Sequence, residues 1–445
     1  MQKKSSLRWV IALVVFGCLA TLYVLSLALT ERNLAAKLAK VKKPAVIDAY
    51  QQLTAELSGV AGTVPQFGPQ DDSEFKGFPE DAAEIVAGYD RLFKRIERIE
   101  GLADYDSSYQ DPPDDWSDEQ RRRVAEFLGN HQDLVGEIQR MANRGGPLSA
   151  LDLSQGFAVD LQHLDTLRSC CRLLRADAVT KASEGNHSEA VEDIIAGMKL
   201  GDALAQEPML ISQLVRFALY GTMCDAVQNS LDGGDLSPEL TSQLMGQIDH
   251  ADRRNAFAES LAGELYLGLD QFPDVEISGG TAGRILGVPL RPWLNADKGG
   301  HIEVMSRVIS AAGLPYYEAA PELNRIEGGG GPWLLPRTGM AKGILAPAFA
   351  QSCQAQARHE AMLDLIQLGI LIEQHHARTS SYPESLDVIA RDLGTSLPVD
   401  PFTGEPYLYQ SSDDGFLLYS IGQNLIDDGG RHDSRSGDIV WRGEQ

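Results

Sequence analysis

The sequence predicts a mainly α protein: an N-terminal transmembrane helix, then a helical-hairpin bundle or irregular solenoid, then a small C-terminal α+β module with an antiparallel sheet. Three observations predict it. Residues 9–29 form an apolar run without a charge. The middle of the chain carries apolar residues that step by three and four, the period of a helix face. The last part switches to short alternating or apolar runs separated by turn residues, the pattern of strands. The expected organisation is an anchor over 1–30, a stalk and linker over 31–80 and a helical body over 81–272. A Gly/Pro-rich connection with short helices follows over 273–350, and the α+β module occupies 351–445.

The anchor segment, Trp9 to Leu29, reads WVIALVVFGCLATLYVLSLAL. As a helix it would span about 30 Å, the hydrocarbon thickness of a bilayer. A cleaved signal peptide is the rival reading, with Ser26-Leu27-Ala28 as the small-residue site, but its apolar core would run only about 7 to 15 residues. The length favours an uncleaved anchor in contact with the lipid bilayer. Basic residues flank both ends (Lys3, Lys4 and Arg8 before; Arg32, Lys37, Lys40, Lys42 and Lys43 after), so the positive-inside rule does not orient it.

Composition narrows the function. The net charge is −24, from 63 acidic and 39 basic residues. A surface that acidic repels a phosphate backbone, so no nucleic-acid partner is expected. No lysine follows Lys342, which leaves an acidic C-terminal third suited to cations or basic partners. The five cysteines (Cys18, Cys170, Cys171, Cys224, Cys353) have neither disulfide-scaffold nor zinc spacing.

Along the body, 34–57 reads as a charged helix prolonging the anchor, 59–79 as a linker, 85–99 as a helix and 104–118 as an acidic, proline-broken loop. Ser117 with Gln120 forms a capping-box pattern that starts the next helix. Leu164, Leu167, Cys171, Leu174 and Ala178 make one stripe; Gly185-Asn186 breaks it, with Asn186 and Glu189 as a new start. Ala190, Ile194, Gly197, Gly201 and Leu204 make the next. Pro208 opens a third helix with Ile211, Leu214, Val215, Ala218, Leu219 and Met223 expected on its inner face. Ser237-Pro238 starts another. This order, seen in Ala178, Gly185, Ala190 and Pro208, resembles a tetratricopeptide helical hairpin over about one repeat. Stable arrays take about three, so the stripes read as core, with a peptide-binding groove as the alternative.

Catalytic motifs are sparse. His359-Glu360 begins like a zincin helix, yet Leu363 stands where the second ligand belongs. His375 and His376, as helix neighbours, point about 100° apart. There is no GxSxG elbow, phosphate loop or nucleotide-binding GxGxxG. No catalytic residues are assigned.

A long amphipathic helix over Met362 to Ile372 ends near Thr379 and leads into Tyr382-Pro383. Leu397-Pro398, Asp400-Pro401 and Gly404-Glu405-Pro406-Tyr407 follow. Tyr407-Leu408-Tyr409 and Phe416 to Ser420 flank Asp413-Asp414-Gly415, a hairpin signal. Tyr419-Ser420-Ile421-Gly422 and Asp438-Ile439 complete the set. Together, over about 351–442, these motifs resemble the soluble domain of the type II secretion major pseudopilin. The resemblance implies a helix packed on a small antiparallel sheet, a location outside the cytoplasm of a bacterial inner membrane, and a Ca²⁺ ion in the final loop. The prepilin cleavage motif is missing before the N-terminal helix, so a capping or docking role fits better than a filament subunit. The candidate metal ligands are Asn424, Asp427, Asp428, Asp433 and Asp438, with Gly429-Gly430 allowing tight curvature. The alternative is a solvated acidic turn, neutralised in part by Arg431 and Arg435.

These readings converge on a single-pass protein with its body outside the cytoplasm, a non-enzymatic interaction or scaffold protein with a protein partner in the cell envelope. The alternative from another class is an extracytoplasmic hydrolase with its site in the 273–347 loops.

Overall fold

A computed structural model describes residues 2–59, 77–99, 116–231, 237–249, 254–271, 291–327, 346–412, 415–431 and 437–442, with the side chains of 2–19 outside that description. The described chain is mainly helical, with a three-stranded antiparallel sheet at its C-terminal end. The helices are α1 (Gln2–Leu38), α2 (Ala45–Ser58), α3 (Ala82–Glu97), α4 (Asp118–Asn130), α5 (Gln132–Arg144), α6 (His163–Ser183) and α7 (His187–Leu204). They continue as α8 (Leu210–Leu231), α9 (Pro238–Asp249), α10 (Asn255–Gln271), α11 (Arg291–Ala312), α12 (Tyr316–Glu327), α13 (Ala346–Thr379) and α14 (Leu386–Leu393). The strands β1 (Leu408–Ser411), β2 (Phe416–Ser420) and β3 (Ile439–Arg442) lie in that order.

α1 is one uninterrupted helix. Tyr23, Leu27, Thr30, Leu34 and Lys37 are partly buried at helical spacing, and α1 packs against α11, where Lys37 Nζ donates to the Gly299 carbonyl (3.0 Å) and pairs with Glu303 (2.9 Å). Leu22, Val24, Leu25 and Leu29 stay exposed. Among the described residues no helix is long and apolar enough to cross a membrane, and the side chains of most of the 9–29 run fall outside the description.

The helix expected to prolong the anchor ends at Leu38 instead. Pro44 has no amide hydrogen to continue a helix, and α2 begins afresh after it. Val46, Ile47, Tyr50 and Leu53 of α2 are buried in the body, so this segment is docked rather than a free stalk.

α6, α7 and α8 pack mutually. The stripes of α6 and α7 are buried as their spacing predicts. Gly185 (φ 82°) makes the turn between them, where Asn186 N donates to the Lys181 carbonyl (2.8 Å). The Asn186 side chain forms no capping bond. The Ser117–Gln120 box forms in both directions, and Ser237 Oγ receives the Leu240 amide.

α8 departs from its predicted face: Ile211 and Ala218 are exposed and Leu214 only half-buried. Ser212, Gln213, Arg216 and Phe217 are buried in their place. Its surroundings explain this, because α8 is packed by α6, α7, α10 and α13 together and only a narrow ridge reaches solvent. One core joins α3–α9 to the C-terminal module, and a second gathers α2, α10, α11, α12 and the start of α13. α8 and α13 contribute to both.

α13 ends at Thr379, as the sequence indicates, and lies on β2 and β3. β1 and β2 pair antiparallel, Leu408 opposite Tyr419, as the hairpin signal predicts; Asp413 and Asp414 lie outside the described residues. Side chains on α13 hold the module together and tie it to the body. Tyr407 OH donates to Asp364 (2.9 Å), Arg254 makes a two-pronged pair with Glu360 (2.8 and 2.9 Å), and Gly369 lies so close to Trp441 that an added Cβ would sit 2.4 Å from its indole nitrogen.

One buried cluster has a pH signature. Lys181 lies between Asp177 (2.7 Å) and Asp193 (2.8 Å), and Gln132 and Gln139 of α5 donate to the same carboxylates (3.3 and 2.6 Å). Burial first, then the charge of Asp177, lifts Asp193 to about 7. In the unfolded chain that carboxyl titrates near 3.8, so its ionised form is penalised only in the fold. The penalty is full above pH 7, is relieved as pH falls from about 7 towards 4, and is gone below that. Stability should therefore carry a term of roughly 1–3 kcal/mol that grows over that fall. Thermal melts of D193N at pH 8, 6 and 5 should show a flatter pH dependence than the parent. Parallel curves would refute the assignment.

Candidate functional site

Residues 272–290 and 328–345, about half of the 273–347 span proposed for a hydrolase site, lie outside the described residues. The histidine pairs of the sequence hold no metal geometry. His359 is buried and stacked on Phe217 (ring centroids 4.7 Å), while Glu360 is taken by Arg254. His375 bonds Asp392 (3.2 Å) and His376 stacks on Tyr382 (4.1 Å). Cys170 and Cys171 are buried, and burial pushes the Cys171 thiol up to about 12, which removes thiolate reactivity.

The C-terminal loop is built by its own hydrogen bonds. Asp438 is fully buried and accepts the amides of Gly430 (2.8 Å) and Asp428 (3.4 Å). Asp427 accepts from Tyr419 OH (3.0 Å) and the Gly429 amide (2.9 Å). Asn424 accepts the Ile426 amide (3.0 Å) and donates to Asp428 (3.1 Å). Gly430 (φ 71°) is required, since a Cβ there would meet Leu417 at 2.7 Å. Four of the five predicted ligands thus share one loop, and Asp433 lies outside the described residues. Each of the four accepts at least one N–H or O–H donor, and among the described residues no group of three or more His, Cys, Asp or Glu is arranged to hold a metal ion. The loop presents Leu425 (φ 55°, 57% exposed) and Ile426 (59% exposed) side by side at its surface.

A second locus escaped the sequence reading. Between α3 and the start of α6 lies a cleft of about 370 Å³. Val86, Phe93 and Leu148 give it apolar walls, Asp90, Glu97 and Asp160 bring carboxylates, and His163 and Thr166 line it from the first turn of α6. Behind it, His163 Nε2–H donates to Glu207 (2.8 Å), whose other oxygen accepts the Ser212 hydroxyl. Gln213 Nε2 donates to the carbonyls of Leu204 (2.8 Å) and Glu207 (3.4 Å), fixing the turn that carries Glu207. Burial alone would lower the His163 pKa, but the charge and hydrogen bond of Glu207, with Asp160 adding, reverse the sign and hold it above the ordinary value. Tyr50 is buried beside Glu207, and burial followed by that negative charge keeps its hydroxyl protonated.

A carboxylate that orients a histidine recurs in hydrolytic sites. Here, however, Ser212 donates to Glu207 and not to the imidazole, so the trio lacks the serine–histidine bond that activates a nucleophile. The arrangement holds a histidine at a cleft and does not generate an alkoxide. No sequence motif marks it, because His163 and Glu207 are 44 positions apart.

No family model, curated protein or solved structure matches the chain.

Because Glu207 sustains the imidazolium, E207Q should lower the His163 pKa, read from the imidazole carbon-bound proton shifts by NMR across pH 4–9. It should also destabilise the fold by about 3 kcal/mol, the usual cost of breaking a buried pair. An unchanged His163 titration would show that the pair is not what sets it.

Proposed function

We propose that this chain is a non-enzymatic, membrane-anchored interaction or scaffold protein of a bacterial envelope, with its body outside the cytoplasm. The observation that carries the reading is α1. An apolar helix with Leu22, Val24, Leu25 and Leu29 exposed continues without a break into a turn pinned to α11 through Lys37. Exposed leucines on a helix end favour lipid over water, and a continuous helix would hold the body at a fixed stand-off from the bilayer.

The C-terminal end supports the docking half of the reading. Its motifs resemble those of the type II secretion major pseudopilin, and a helix lying on a three-stranded antiparallel sheet is the architecture that resemblance implies. The rigid loop with Leu425 and Ile426 at its surface offers an apolar pair for a protein partner.

Two measurements test this. Alkaline carbonate extraction should leave the full-length chain in the membrane pellet and release a version lacking residues 2–29, and added protease should digest the body in spheroplasts. Release of the full-length chain, or a protected body, removes the topology. In-cell cross-linking should recover envelope components with the parent and lose them, at unchanged melting temperature, with L425S/I426S. Equal recovery would take the loop out of docking.

The resemblance also extends to Ca²⁺ at the 424–438 loop. On that proposal the melting temperature rises by several degrees in millimolar Ca²⁺ over chelator, and identical melts exclude it.

A further inference from the structure

Two groups of carboxylates stand out on this acidic chain, and they differ in what satisfies them. Those of the C-terminal loop accept backbone amides. In the cleft between α3 and α6 only Asp90 has a basic partner, Lys94 at 2.7 Å. Asp160 accepts nothing beyond the Gln162 amide (3.1 Å), and Glu97 has no partner among the described residues. Thr166, only 8% exposed, also lines the cleft, and its hydroxyl has no hydrogen bond to any described residue. His163, 7% exposed, sits one turn earlier on the same helix. Its Nε2–H is committed to Glu207, so its unbonded Nδ1 is what it offers the cleft.

We propose that this cleft binds a lysine or arginine side chain presented by a protein partner. The aliphatic stem packs on Phe93, one turn from Glu97 on α3, as long basic side chains pack their methylenes on apolar surface. The charged head pairs with Asp160 and donates N–H groups to Thr166 Oγ and, when the ring is neutral, to His163 Nδ1, while Glu97 adds its charge from the far end of the cleft. A bare divalent ion suits the site less well: among the described residues no three His, Cys, Asp or Glu side chains converge, and the apolar walls would have no role. An anion is disfavoured by Asp160 and Glu97, neither of which makes an ion pair with a described residue. The inference deepens the interaction-protein reading and rests on it.

Binding and protonation then compete. The groups facing His163 are Glu207 from the segment between α7 and α8, Asp160 from the turn before α6, and Asp90, Lys94 and Glu97 from α3, with Tyr50 of α2 against the far side of Glu207. Protonation of Nδ1 turns its acceptor into a donor, so affinity falls as pH drops through the His163 titration.

The test titrates full-length protein in detergent with three capped amino acids and spermidine by isothermal calorimetry. Nα-acetyl-lysine methylamide and its arginine counterpart should bind saturably on the alkaline side of the His163 titration, located by NMR, and at least tenfold more weakly on its acid side. The norleucine analogue, which keeps the stem and loses the charge, should not bind. D160N/E97Q should weaken binding at least tenfold, while E384Q/D387N, which removes two charges from the C-terminal module, should leave it unchanged. H163N, checked for an unaltered melting temperature, should flatten the pH dependence. D160N/E97Q keeps the test decisive if H163N does not fold. Binding of norleucine, equal loss in the two double variants, or uptake of spermidine alone overturns the proposal. None of these outcomes touches carbonate extraction or cross-linking through Leu425 and Ile426, so the anchored-scaffold reading stands or falls separately.

Discussion

The structure depends on a carboxylate with no access to water. Glu207, in the segment between α7 and α8, is fully buried, and an isolated ion there would cost several kcal/mol. His163 and Ser212 offset that cost, and in doing so they fix the start of α6 against the start of α8. The consequence is wide because α8 belongs to both cores. Val215 and Tyr220 lie in the core shared with α6, α7 and the C-terminal module, whereas Phe217 lies in the core of α2, α10 and α11. Any shift of the α8 start would disturb both at once.

The same logic holds the C-terminal module together and, through Arg254, ties it to the body. Asp364, Glu360 and Gly369 all sit on α13, and each meets a residue from a distant segment: Tyr407, Arg254 and Trp441. Since Ala357, Leu365 and Ile372 contribute to the central core together with Leu418 and Trp441, the module is not a bead on a string. Removing it would open the core, so its docking role is better probed by exposed substitutions such as those at Leu425 and Ile426.

What could be read from the sequence follows the range of the interactions. The Ser117–Gln120 box, the Gly185 turn, the stripes of α6 and α7, the end of α13 and the β1–β2 hairpin are set by residues within a few positions of one another, and all were legible. The face of α8 was not. A helix packed on several sides has no single apolar stripe, and Ser212, Gln213 and Arg216 look solvent-facing until their partners at Leu204, Glu207 and Asp202 are brought near. The cleft was illegible for the same reason, being assembled from α3, the 148–150 segment and the start of α6. The acidic C-terminal loop was legible as a cluster of ligand types, but composition did not reveal that each described carboxylate there already accepts a backbone amide or a side-chain donor.

That contrast bears on how an acidic chain can recognise a partner at all. With a charge of −24, long-range attraction for basic surfaces is available almost anywhere, but solvent and salt screen it within about 8–10 Å. Specificity needs a place where a carboxylate cannot be satisfied internally and where apolar walls exclude some of the competing water. In the 424–438 loop each described carboxylate already accepts an internal donor, which lessens that demand. Asp160 and Glu97, which line the cleft with Thr166 and a histidine held by Glu207, leave one, and the buried pair keeps the imidazole oriented whether or not a ligand is bound. A rigid acceptor set lowers the ordering cost of binding. The polar network that holds α6 against α8 thereby also shapes the floor of the cleft.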